Sequence, residues 1–124
     1  MSYTGKKGRV LLANTDTMFI KGLRSHLESA GYEVVCECSN GSDALKKAVE
    51  LRPDAVILGL MLPGKDGSQV IATVKAAHPA IAPVCIITTS AANPLMLNEA
   101  IAAGADYCIM RPCDYESLLS KLHK

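Results

Sequence analysis

A chain of 124 residues, 49% hydrophobic and 20% charged, carries enough apolar side chains for one globular domain and too little charge for a disordered one. Its formal net charge of +1 gives no electrostatic footprint for nucleic acid, and its apolar runs are too short to cross a bilayer. Without an apolar signal core, the chain is expected in the cytoplasm. Five cysteines without CxxC spacing (Cys36, Cys38, Cys85, Cys108 and Cys113) are therefore expected as reduced thiols rather than a disulfide framework or a metal site.

Residues 1–8 read as a flexible tail, and Lys6, Lys7 and Arg9 as a small solvated basic patch. The domain proper is expected over 9–124. Arg9 to Ala13, "RVLLA", is a first strand. Thr15, Asp16 and Thr17 are all competent helix caps, Phe19, Leu23, Leu27 and Ala30 repeat at helical spacing, and Gly31 ends the helix. "YEVVCEC" is a second strand, alternating at Val35, Glu37 and their neighbours. "NGSDALKKAVELRP" is a second helix, capped by Ser42 and limited by Pro53. Ala55 to Leu58 is a third strand. It ends at Gly59, a residue that offers no side chain to pack, before a turn at Pro63-Gly64.

A third helix is predicted from Gly67 to His78, a fourth strand in "VCIITT", a fourth helix opened by Asn93-Pro94 and closed by Gly104, a fifth strand in "ADYCIM", and a last helix capped by Asp114. Strand and helix thus alternate five times. The first, third and fourth strands are almost wholly apolar, as strands covered on both faces are. Right-handed crossovers then put helices on both sides of one parallel sheet, and ligands of such sheets sit beyond the carboxyl ends of the strands. The candidate site is the crevice formed by Asn14 and Thr15 after strand one, Gly59 after strand three, Thr88 and Thr89 at the end of strand four, and Arg111-Pro112 after strand five.

"RVLLANTDTMFIKGLRSHLESAGYEVV", "NGSDALKKAVELRPDAVILGLMLPGKDG" and "AIAAGADYCIMRPCDYESLL" together resemble the receiver domain of two-component response regulators, over nearly the whole chain from Arg9 to Leu122. "LMLPGKDG" and "AGADY" are the most specific segments. The resemblance implies a flavodoxin-like (βα)5 fold, doubly wound, with a parallel sheet in strand order 2-1-3-4-5. It also implies a chemistry. In the family, two acids after strand one and an aspartate at the end of strand three hold Mg²⁺, and that aspartate takes a phosphoryl group from a histidine kinase. A Thr or Ser after strand four and a Lys after strand five stabilise the phosphoryl oxygens.

Here the sequence departs from the pattern. Asn14 and Thr15 replace the acids, Gly59 replaces the acceptor, and Arg111 replaces the lysine. The hydroxyl position falls on Thr88 or Thr89. The spacing to Gly104 favours Thr89, with Ser90 at the small-residue position beside it. The aromatic position of strand five falls on Cys108, with Tyr107 shifted by one. Of four charges only Arg111 remains, so Mg²⁺ is not expected, no cofactor is implied, and no acyl phosphate can form at residue 59. Other acids have local roles: Asp16 and Asp114 as caps, Asp66 in a turn. The resemblance further implies a cis Arg111–Pro112 bond.

The expected function is that of a pseudo-receiver working in phosphorelay-type signalling or transcription control through protein contact or homodimerisation. The resemblance places that contact on helix four, strand five and helix five. Leu95, Met96 and Leu97 in a row cannot all be buried by one helical face, and with Tyr107 they make up the candidate interaction face. An anion sensor built on Arg111, Thr89 and the start of helix one is the alternative, as is a conventional regulator with a non-standard acceptor. An enzyme is not expected. The chain has no GxGxxG and no Ser/His/Asp arrangement, and His26, His78 and His123 fall on predicted helices.

Overall fold

The apolar strands and amphipathic helices condense into an alternating chain of elements. In order these are β1 (Gly8–Ala13), α1 (Thr17–Ser29), β2 (Tyr32–Cys38), α2 (Gly41–Leu51), β3 (Ala55–Gly59), α3 (Gly67–Ala77), β4 (Val84–Thr89), α4 (Pro94–Ala103), β5 (Tyr107–Met110) and α5 (Tyr115–Ser120). The computed structural model describes residues 8–77, 83–89, 94–111 and 114–122. The tail expected over 1–8, apart from Gly8 at the start of β1, and the Arg111–Pro112 bond therefore lie outside the described residues, as do Ser90, Cys113, His78 and His123.

All strand pairs are parallel, in the order β2-β1-β3-β4-β5. Period-2 alternation sorts the strand side chains into two cores. Leu11, Ala13, Val56, Leu58, Cys85 and Ile87 meet α2, α3 and α4 on one face. Val10, Leu12, Ile57 and Ile86 meet Phe19, Ile20, Leu23 and Leu27 of α1 and Leu118 of α5 on the other. Each fully buried Leu or Ile removes enough apolar surface from water to contribute about 1.5–3 kcal/mol.

Local departures from the sequence reading have local causes. The pairing of β1 with β2 shifts register between Val10 and Leu11, so that Val10 faces Val34 but Leu11 faces Cys36. This bulge at Val35 breaks the expected alternation. Tyr32 and Val34 pack on the α1 side, while Cys36 and Cys38 pack on the α2 side.

The cap of α2 is Asn40 rather than Ser42. Its Oδ1 accepts from the Asp43 backbone N–H at 2.8 Å and its Nδ2 donates to the Asp43 carboxylate at 2.9 Å. The Gly41 N–H donates to the Pro63 carbonyl at 2.8 Å, which fixes the helix start and leaves Ser42 inside the first turn.

Arg9 is not part of a solvated patch either. Its Nη1 donates to the carbonyls of Leu51 (2.7 Å) and Arg52 (3.2 Å), groups that the end of α2 leaves without helical partners. Asp66 does more than turn the chain. It caps α3 through Gln69, whose backbone N–H donates to Asp66 Oδ1 at 2.9 Å while Gln69 Oε1 accepts from the Asp66 N–H at 3.0 Å.

Candidate functional site

The carboxyl ends of β1, β3 and β4 and the end of β5 bring the sequence-predicted residues to one crevice. The Asn14 N–H donates to the Cys38 carbonyl at 3.0 Å, which extends the sheet one residue past β1 and leaves the Asn14 side chain almost fully buried. Asn14 Oδ1 accepts from the Asp16 N–H at 2.9 Å, a local turn that sends the chain into α1. Thr15 is exposed on that turn.

Across the crevice, Gly59 is the last residue of β3. A Cβ there would stand 3.2 Å from Asn14 Nδ2 and 3.7 Å from Leu62 Cδ2. The Asn14 amide and Gly59 thus face the same small volume. Thr88 lies opposite Gly59 in the ladder, with its hydroxyl donating to the Leu58 carbonyl at 3.5 Å. Thr89 is buried one residue further, and its carbonyl accepts from the Arg111 N–H at 2.7 Å.

Arg111 carries the charge of the site, and its partner is a residue read from the sequence only as a cap. Arg111 Nη2 donates to Asp16 Oδ2 at 2.5 Å. The other Asp16 oxygen accepts from the Phe19 N–H at 3.1 Å, so one carboxylate caps α1 and holds the guanidinium at once. The guanidinium also lies over the Phe19 ring, 4.1 Å from its centre, in cation–π geometry. A planar fork suits this double role where an ammonium would not. The only sequence signal for the pair was the presence of both residues near strand ends; they are 95 positions apart.

The Arg111 side chain beside Asp16, and then the Phe19 N–H, hold the Asp16 carboxyl below its ordinary range. A carboxyl whose folded pKa is depressed contributes stability that is present above its unfolded value and lost as pH falls through the folded one. Asp114, lowered by its bonds to Ser117, acts in the same direction. Asp16→Asn keeps a competent cap but loses the ion pair. It should flatten part, not all, of the acid limb below about pH 4 in thermal melts taken across pH. An unchanged acid limb would show that the pair adds nothing.

Away from the crevice, α4 leaves apolar groups in solvent: Leu95 is 73% and Ile101 59% exposed, and Met110 at the end of β5 is 44% exposed. Met96 is half-buried against the α2–α3 side, and Leu97 is half-buried, four residues before Ile101 and so on the same face. Tyr107 packs toward α5 under Lys121 Nζ, which stands 5.3 Å from its ring centre, whereas Cys108 packs on the opposite side of the sheet. Ile101 and Met110 were not singled out from sequence, since neither belongs to the conspicuous apolar triplet. Among the described residues, no helix is long and apolar enough to cross a membrane. Nor do three or more His, Cys, Asp or Glu side chains among them gather as metal ligands.

Comparison with known proteins gives the same picture. The chemotaxis protein CheY of Listeria monocytogenes is 31% identical over 115 residues, which cover 92% of this chain and 95% of that one. The transcriptional regulatory protein PrrA of Mycobacterium tuberculosis is 29% identical, but this chain spans only 48% of its length. A CheY-like response regulator receiver domain protein from Methanospirillum hungatei superimposes with a TM-score of 0.85 at 25% identity, covering 96% of this chain and 91% of that one. The family model of the response regulator receiver domain matches residues 10–123. With that match laid over a parallel sheet of order 2-1-3-4-5, the chain belongs to the response regulator receiver domains of two-component signalling.

Proposed function

We propose that this chain is a pseudo-receiver: a cytoplasmic module of phosphorelay-type signalling or transcription control that works by contact with a protein partner or a second copy, without catalysis and without aspartyl phosphorylation. The observation that carries this reading is the Asp16–Arg111 pair closing a crevice in which residue 59 has no side chain. A phosphoryl acceptor needs a nucleophilic oxygen and a bound divalent cation beside it. The residues at the crevice are Asn14, Thr15, Gly59, Thr88 and Thr89, and the carboxylate beside them, Asp16, is already turned to Arg111. The same pair argues against the anion-sensor alternative, because an incoming anion must displace an internal carboxylate from the guanidinium.

Treatment with a small phosphodonor and Mg²⁺, followed by intact-mass measurement, should leave the mass unchanged. A stoichiometric phosphate adduct would mean that another acid serves as acceptor. Contact is expected through α4, β5 and α5, where Leu95 and Ile101 are largely exposed. Leu95→Asp and Ile101→Asp should leave the melting temperature nearly unchanged while reducing self-association or partner capture at least tenfold, about 1.4 kcal/mol. Equal association of wild type and both variants, read by light scattering and pull-down, would move the contact elsewhere.

A further inference from the structure

The two cysteines on β2 are placed for a chemistry that the crevice does not use. We propose that Cys36 and Cys38 form a two-thiolate site for a soft monovalent metal ion of the copper(I) class. Two residues apart on a strand, they share a face, and their sulfurs stand 3.5 Å apart. The bulge at Val35 turns both toward the α2 side, where they are half-buried at the border of the core. β2 is an edge strand, paired only with β1, so the dithiol is packed on apolar groups on one side and reachable from the other.

Donor number and softness select the ion. Structural zinc takes four ligands, and among the described residues no third His, Cys, Asp or Glu joins the pair. Hard cations prefer oxygen. A soft d¹⁰ monovalent ion prefers thiolate and accepts two ligands. Metal–sulfur bonds of about 2.3 Å put two thiolates about 4.0 Å apart at a trigonal angle and about 4.6 Å apart at a linear one. The sulfurs need to open by roughly 0.5–1 Å, within reach of a small side-chain rotation at half-exposed positions. Binding makes two metal–sulfur bonds and releases both thiol protons to solvent, with no change of oxidation state. Of the nearby charges on α2, Lys47 offsets the negative charge of the complex and Asp43 opposes it.

A disulfide is the poorer use of the same pair. Alternate residues on a strand have Cα atoms about 6.6–6.8 Å apart, at the upper limit that a disulfide spans.

The test is anaerobic titration of the reduced full chain with copper(I), supplied as its acetonitrile complex, in competition with a colorimetric copper(I) chelator. Wild type, Cys108→Ser and Cys113→Ser should retain about one equivalent, and Cys36→Ser and Cys38→Ser less than about a tenth of that. Independently of any variant, loaded wild type should be protected from alkylation at Cys36 and Cys38 in peptide mapping. Surrender of all copper to the chelator by wild type, retention by Cys36→Ser or Cys38→Ser, or protection falling on Cys108 or Cys113 instead would each overturn the proposal.

Discussion

Gly41→Ala should destabilise the fold by about 3–5 kcal/mol, a large share of the roughly 5–15 kcal/mol that holds a domain together. A Cβ on Gly41 would lie 1.6 Å from the Lys65 carbonyl oxygen and 2.9 Å from the Lys65 Cα. Those are backbone atoms, so no side-chain rotation relieves the overlap. The segment that would have to move is held in two places, by the Gly41 N–H on the Pro63 carbonyl and by the Gly67 N–H on the Leu60 carbonyl at 3.0 Å. It also contains Gly64 in a left-handed conformation at φ 84°, with Ser42 Oγ packed closely against it.

Displacing the segment therefore costs the first turn of α2 and the loop after β3 together. Gly22 supplies the comparison. A Cβ there would meet the Tyr115 hydroxyl at 2.2 Å, but that is the tip of a side chain that can swing away. Gly22→Ala should cost clearly less than Gly41→Ala when both variants are unfolded in urea. A Gly41→Ala protein melting within about 2 °C of wild type would show that the approach of α2 to Lys65 relaxes freely.

How far the sequence could be read follows from how local each interaction is. The buried runs of β1, β3 and β4, the caps Asp16 and Asp114, and the left-handed Gly31 and Gly104 are set within a few residues, and the spacing of apolar and turn residues displays them. Arg52 is the exception among the helix ends. It takes φ 49° without being glycine, and Arg9, brought alongside by β1, donates to the carbonyls there. That contact joins residues 42 positions apart.

The site divides in the same way. The crevice and its residues follow from topology, since parallel strands must end together. The pairing of Arg111 with Asp16 does not follow. It depends on which neighbour the guanidinium meets after the sheet has formed, and stacking on Phe19 fixes its direction. The bulge at Val35 is equally invisible, because either phase of "YEVVCEC" alternates plausibly until β1 chooses one for each half of the strand.

Returning carboxylates to the crevice should return a cation to it, but only together. Wild type and Gly59→Asp should show no stabilisation by Mg²⁺, because a hard divalent ion needs several oxygens and one new carboxylate would meet the Asn14 amide, whose nitrogen is 3.2 Å from the Cβ position. In Asn14→Asp/Thr15→Asp/Gly59→Asp the same proximity becomes an asset, since carboxylates from the ends of β1 and β3 converge on one point. Without metal these like charges repel, and the triple variant should melt below wild type. At 10 mM Mg²⁺, a site with a dissociation constant of about 1 mM recovers about 1.4 kcal/mol.

Asp16 sets the limit on that recovery, for it must stay on Arg111 rather than turn to the ion. Adding Arg111→Ala should therefore release Asp16 and raise the Mg²⁺ response further. A folded triple variant indifferent to Mg²⁺ would show that the crevice has lost the shape of a cation site as well as its charge. A Mg²⁺ response in wild type would remove the basis for reading this receiver as one that signals without phosphorylation.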